Sequence, residues 1–327
     1  MRVLNEQEYE LLERLTVLNQ QHLHKTLGTY LKNKYKNVII EKEYIVAIGD
    51  IPIALVAHMD TVFYNQPTEI FYDRCKGVLW SPDGLGADDR AGIFAILQII
   101  QSGLRPSVIL TTDEEIGCVG AQKLAKKKCP IPFLRYMIQL DRRGTNDCVF
   151  YDCANGDFIK FIESYGFVET KGLGSDISFL SPGWGICGVN LSVGYINEHS
   201  TSELLYINVL FSTIEKVKIM LKETNIPQFN YYEFPSKLDY FSEMNNSVSS
   251  DIDIGKKCVC CNKYFFEFEM FPVKSKEGKK MVHYCPDFII DKVEWCEVCG
   301  YAYEIKDPED DIGICPDCTE VLSAKND

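Results

Sequence analysis

The stretch IPIALVAHMDTVFYN, residues 51–65, opens as an unbroken apolar run and closes on a histidine followed two positions later by an aspartate. The run is short, contains β-branched residues and is bounded by turn formers, which is strand behaviour. Because its apolar residues are consecutive rather than alternating, the strand reads as buried on both faces, as in a parallel sheet. Ligands of such sheets collect outside the carboxyl ends of the strands. His58 and Asp60 stand at that end and need an explanation.

Working outward, NVIIE and EYIVAIG before this stretch have the same strand character. Upstream of them, Leu11, Leu12, Leu15, Leu18, Leu27 and Leu31 recur at helical spacing and predict an amphipathic helix or helix pair from Glu6 to about Lys32. Downstream, GIFAILQIIQ reads as an apolar helix, SVILTTD as a strand, GAQKLAKKK as a helix and FLRYMIQLD as a strand. GDFIKFIESYG then predicts a helix, ICGVNLSVG a strand, and a long helix runs from about Glu203 to Leu221. This alternation predicts an α/β fold, three layers α/β/α around a mixed, mostly parallel sheet.

A chain of 327 residues that is 46% hydrophobic can bury a substantial core. A formal net charge of −13 argues against a phosphate backbone as partner, since nucleic-acid binding needs a surplus of Lys and Arg on one face. Cationic ligands, metal ions included, remain open. No charge-free apolar stretch is long enough to span a membrane, and the opening MRVLNEQEYELLERL is unlike a secretory leader, so a cytoplasmic protein is expected.

Carboxylates and imidazoles gather where the predicted strands end. His58 and Asp60 follow ALVA; Asp113, Glu114 and Glu115 follow SVILTT; Asp141 closes YMIQLD; Asp88 and Asp89 open a helix in GADDRAG; and VNLSVGYINEHS leads to His199. Taken singly, each has an ordinary explanation as a cap or a satisfied polar residue. Together they place like charges at one sheet edge, which is unfavourable unless cations neutralise them. Imidazole with carboxylate suits zinc or a similar divalent ion, and bridging carboxylates suit two ions about 3.5–4 Å apart.

In this order AHMDTV, GADDRAG, DEEIG, the aspartate of QLD and the final EHS resemble the five metal motifs of the co-catalytic di-zinc exopeptidases, the clan of peptidase T-like tripeptidases and zinc aminopeptidases. The resemblance spans roughly residues 50–220. It implies that Asp88, four residues before Gly92, bridges two catalytic zinc ions (or cobalt or manganese), with His58 and Asp141 completing one site and Glu115 and His199 the other. It implies Glu114 as the general base that takes a proton from a metal-bridging water, and Asp60 as the partner that fixes the tautomer of His58. The peptidase T-like branch carries a lid domain between the fourth and fifth ligands, and Asp141 to His199 is too short to hold one. Arg142 and Arg143, just after the fourth ligand, are candidates for a substrate carboxylate. The implied activity is exopeptidase, first of all aminopeptidase, on small peptides. Hydrolysis of N-acyl amino acids uses the same machinery, and a catalytically inactive peptidase-like binding protein is the reading from another class.

Of the 14 cysteines, eight fall between residues 258 and 318, and without an export signal such crowding reads as metal binding. Cys296, Cys299, Cys315 and Cys318 form two C-x2-C knuckles at zinc-ribbon spacing, enough for one closed tetrahedral site. Cys258 and Cys261, with Cys285 and either His283 or Cys260, resemble a second ribbon, which either holds a second structural zinc or has lost it. The expected organisation is a catalytic domain over 1–225, a linker over 226–254 rich in Asn, Ser and aromatic residues, and a small zinc-ribbon domain over 255–327, whose expected partner is a protein rather than a nucleic acid.

Overall fold

The computed structural model describes residues 2–172 and 174–231, together with residues 256–257, 264–265, 271–274, 281–284, 293–295, 302–304 and 316. The chain divides into two compact units, Met1–Asp239 and Tyr240–Asp327, so the division falls inside the segment expected as a linker.

The first unit opens with a helix pair. In α1 (Glu6–Val17) the Asn5 side chain accepts from the Glu8 amide while the Glu8 carboxylate accepts from the Asn5 amide, a reciprocal capping box, and α2 (Gln20–Lys34) is capped by Asn19. The strands β1 (Asn37–Ile40), β2 (Tyr44–Ile48) and β3 (Ile51–His58) follow. Next come β4 (Phe71–Asp73), β5 (Val78–Trp80), α3 (Ala87–Gln101), β6 (Pro106–Thr111), α4 (Val119–Ala125), β7 (Tyr136–Arg142) and β8 (Asp147–Val149). The unit is completed by α5 (Gly156–Glu163), β9 (Val168–Glu169), α6 (Ile177–Trp184), β10 (Gly188–Ser192), β11 (Tyr195–Ile196), β12 (Leu204–Tyr206) and α7 (Ile207–Leu221).

Eight strands form one sheet in the order β1-β2-β6-β3-β7-β10-β8-β9. Its centre is parallel: β3 pairs with β6 and β7, and β7 with β10, while β1, β2 and β8 pair antiparallel to their inner neighbours. The strand β3 shows why its sequence does not alternate. Ile53, Leu55 and Ala57 enter the core beneath α1, α3 and α7, whereas Ala54 and Val56 enter a second core with residues of α4 and α6. Both faces are covered, giving the α/β/α layering.

A second sheet, β11-β12-β5-β4, has no counterpart in the sequence reading. It also shortens the last helix. Leu204, Leu205 and Tyr206, expected as helix, pair antiparallel with Trp80, Leu79 and Val78, so α7 begins only at Ile207. After α7, Phe229 packs on Tyr136, Phe158 and Phe161.

In the second unit β13 (Lys256–Lys257) pairs antiparallel with β14 (Tyr264–Phe265), and a four-stranded sheet runs in the order β16 (Met281–Tyr284), β15 (Phe271–Lys274), β18 (Ala302–Glu304), β17 (Val293–Trp295). The expected ligands Cys258, Cys261, Cys285, Cys296, Cys299, Cys315 and Cys318 lie outside the described residues. No helix among the described residues is long and apolar enough to cross a membrane.

Candidate active site

The chemistry expected from the sequence converges at the carboxyl edge of the parallel strands. His58 is the last residue of β3, paired in register with Thr111 at the end of β6; Glu114 and Glu115 lie in the turn beyond it, and Asp141 is near the end of β7. Asp88 sits in the entry to α3, where Asp88 and Asp89 keep non-helical backbone and the peptide between them is cis. His199 lies in the loop between β11 and β12, in left-handed backbone with φ of 61°.

These side chains form two groups. His58, Asp88 and Asp141 bring one ligand atom each within 4.8 Å of one another, and so do Asp88, Glu115 and His199. Asp88 belongs to both. Its Oδ1 is 3.1 Å from His58 Nε2, and its Oδ2 is 3.3 Å from His199 Nε2. On the far sides, Asp141 Oδ1 lies 3.4 Å from His58 Nε2 and Glu115 Oε2 lies 3.0 Å from His199 Nε2. Asp89 turns away: its carboxylate accepts from the amides of His58 at 3.2 Å and Gly92 at 2.9 Å. At Gly92 a Cβ would stand 2.0 Å from the Leu140 carbonyl, so only glycine lets α3 approach β7 this closely.

Around the two groups runs a shell of directed hydrogen bonds. Asp60 Oδ1 is 3.2 Å from His58 Nδ1, and Asp60 Oδ2 accepts from the Glu115 amide at 3.0 Å, so one carboxylate orients members of both groups. Asp141 accepts from Tyr195 Oη at 3.1 Å and from Gln139 Nε2 at 2.8 Å. Ser175 Oγ, itself accepting from Gln139 Nε2, stands 2.8 Å from Asp141 Oδ2 and 3.2 Å from Glu114 Oε1. Buried Glu203 holds the loop that carries Asp88, its carboxylate accepting from the amides of Gly86 at 2.6 Å and Asp88 at 3.1 Å. The sequence reading missed Gln139, Ser175, Tyr195 and Glu203. A polar residue inside the apolar run YMIQLD and an acid four positions after His199 were the available signals.

Glu203→Ala leaves two buried amides without an acceptor and is expected to cost about 1–3 kcal/mol of stability, read by denaturant unfolding.

Charge explains why such a cluster calls for cations. Burial, then the Asp88 charge, pushes the Glu115 carboxyl up to about 7, and the same two causes raise Asp141 well above the usual carboxylate range. Burial opposes protonation of His58, but the carboxylates of Asp141, Asp60 and Asp88 outweigh it. Hydrogen bonding to Asp88 raises His199 to about 9. Glu115 Oε1 is buried with no hydrogen-bond partner among the described residues. Two imidazoles, three carboxylates and an unmatched buried carboxylate oxygen form a donor set that fits a pair of divalent cations.

These shifts set a pH dependence for the cation-free protein. Both groups hold their proton more tightly folded than unfolded. The stability contributed by Glu115 is complete below about 4.5 and lost as pH rises through about 7; that of His199 is complete below about 6.5 and lost through about 9. The melting temperature of the chelated protein is therefore expected to fall between pH 5 and 9, and divalent ions to offset the fall. A chelated profile that rises over this range would contradict the shifts.

The two groups open into a cleft of about 320 Å³ that is also lined by Glu114, Arg142, Arg143, Tyr151 and Lys171. Arg143 is already matched, 2.8 Å from Glu198.

A family model described as Peptidase family M28 matches residues 38–164. No curated protein sequence matches the chain. Among solved structures, aminopeptidase PepT from Bacillus cereus aligns with a TM-score of 0.55 at 16% identity over 67% of this chain and 98% of that one. A tripeptidase from Staphylococcus aureus aligns at 0.52 and 16% identity over 68% of this chain and 99% of its own. The TET aminopeptidase of a Thaumarchaeota archaeon aligns at 0.52 and 14% identity over 68% and 98%. At these identities the likeness is one of fold: the mixed α/β architecture is shared with these peptidases.

Proposed function

We propose that this chain is a metal-dependent aminopeptidase acting on short peptides. One observation carries the reading: Asp88 turns one carboxylate oxygen toward each of two donor groups, beside a glutamate, Glu114, that belongs to neither. His58, Asp88 and Asp141 would hold one divalent ion, and Asp88, Glu115 and His199 the other. When bound, such a pair supplies Lewis-acid chemistry, polarising a carbonyl and making water more acidic.

The remaining roles belong to the protein. Glu114 takes a proton from the attacking water and returns it to the leaving amine. Ser175 steadies the Glu114 carboxylate at 3.2 Å, and Asp60 keeps the His58 ring in one tautomer from 3.2 Å. The carboxylates lining the cleft suit the α-ammonium of a peptide.

The M28 match and the peptidase structures of the same fold support this reading. The six cysteines of the first unit are free thiols, four of them buried, which supports a reducing, cytoplasmic setting. For the second unit the cysteine spacing supports one or two structural zinc ions and a role in contacting a protein.

The test is hydrolysis of leucyl and alanyl di- and tripeptides with free and with acetylated N-termini, in zinc, cobalt or manganese. The free-amine peptides are expected to be cleaved and the acetylated ones spared, with loss of activity on chelation. Cleavage of the acetylated set alone would mark a deacylase, and no cleavage under any metal would remove the enzyme reading.

A further inference from the structure

Besides the two donor groups, the cleft is lined by Arg142, Arg143 and Lys171, and the placement of Arg142 is specific. Successive side chains of a regular strand point to opposite faces. In β7, however, Asp141 and Arg142 line one cleft. The ladder between β7 and β10 shows why: Asn190 pairs with Gln139, but Ser192 pairs with Arg142, so three steps along β7 match two along β10. This bulge inserts an extra residue after Gln139 and re-aims the next side chain. Without it, Arg142 would point away from the cleft that Asp141 faces.

The guanidinium so placed is held but not neutralised. Its Nη2 donates to the Lys171 carbonyl at 3.2 Å, and its buried Nε has no hydrogen-bond partner among the described residues. Arg143, by contrast, is taken by Glu198. Neither Arg142 nor Lys171 makes an ion pair among the described residues, in a chain whose net charge is −13. An arginine tethered through one nitrogen, beside a lysine, in a cleft also lined by Asp88, Glu114 and Glu115, presents the fork that carboxylates bind.

We propose that Arg142, with Lys171, binds the C-terminal carboxylate of the substrate, so that the preferred substrates are di- and tripeptides with a free C-terminus. The inference rests on the aminopeptidase reading and deepens it. A cleft of about 320 Å³ lies at the small end of ligand pockets, which suits a peptide whose two charged ends are both read within it. Arg142 is thus a specificity-determining residue; it acts on recognition, while Glu114 acts on the reacting water.

The experiment compares each free-acid peptide with its C-terminal amide, and with an amide carrying glutamate as its second residue, by kcat/KM and by calorimetric binding to metal-loaded protein. Wild type is expected to favour the free acid by about 10- to 100-fold, mostly in KM, the range of a charge-assisted hydrogen-bonded pair. In Arg142→Ala the acid-to-amide ratio is expected to collapse toward one, and in exposed Lys171→Ala to narrow. Equal use of acid and amide by wild type would overturn the inference and leave the peptidase reading standing. So would rescue of the amide by the glutamate side chain, which would assign the site to an acidic residue. Acid-selective binding without hydrolysis of any peptide would support the carboxylate site and overturn the peptidase reading instead. Failure of both peptides to bind would overturn the inference outright.

Discussion

Asp88→Asn is expected to strip the protein of about two divalent ions per chain, both of those assigned to the first unit, and to lower peptide turnover by more than about 100-fold. Replacing an outer-shell partner of a metal ligand already costs about 10- to 100-fold in affinity or activity, so loss of a shared ligand sets a larger effect. The geometry makes the loss double. Asp88 Oδ1 faces His58 at 3.1 Å and Oδ2 faces His199 at 3.3 Å, and an asparagine would offer an oxygen to one group while turning an amide NH2 toward the other. The neighbouring substitution separates ligand from scaffold. Asp89 is fully buried and accepts from two backbone amides, so Asp89→Asn is expected to keep the ions and to lose about 1–3 kcal/mol of stability instead. Elemental analysis of both variants after metal loading, with denaturant unfolding alongside, checks the pair. Two ions retained by Asp88→Asn, or none by Asp89→Asn, would reverse the assignment within the GADDRAG segment.

That choice between adjacent aspartates shows how far sequence carries. The central strands were legible because a strand covered on both faces must be apolar at every position, as β3 is from Ile51 to Ala57. The candidate site residues were legible as strand ends and in their order along the chain, and the structure groups His58, Asp88 and Asp141, and Asp88, Glu115 and His199. What could not be read depends on partners far away in sequence. Leu204–Tyr206 looks like the first turn of a helix, and only pairing with Val78–Trp80 makes it a strand. Glu203 looks like an ordinary helix-start acid, yet its acceptors serve Gly86 and Asp88, more than a hundred positions earlier. The bulge in β7 that turns Arg142 into the cleft is a property of two strands in register and leaves no trace in either alone. Short strands such as β4 and β5, three residues each, carry too little periodicity to register.

Glu114→Gln is expected to lower turnover by about 100-fold or more while metal content stays at the wild-type value. General-base catalysis contributes about 10²- to 10⁴-fold, so residual activity of a hundredth or less is the prediction. The substitution keeps the side chain's shape and its contact with Ser175 Oγ, 3.2 Å from Oε1, but an amide cannot accept the proton of the attacking water. Because Glu114 belongs to neither donor group, nothing in the cation sites should change. Glu115→Gln is the necessary contrast. Glu115 Oε2 stands 3.0 Å from His199 Nε2 within the second group, so its loss is expected to weaken metal binding first and turnover as a consequence, with partial recovery at high metal concentration. Excess metal should restore nothing to Glu114→Gln. Near-normal turnover in Glu114→Gln would sink its assignment as the base and leave the carboxyl of another cleft residue to take the proton. If both variants responded alike to added metal, the separation of base from ligand in the DEE turn would fail.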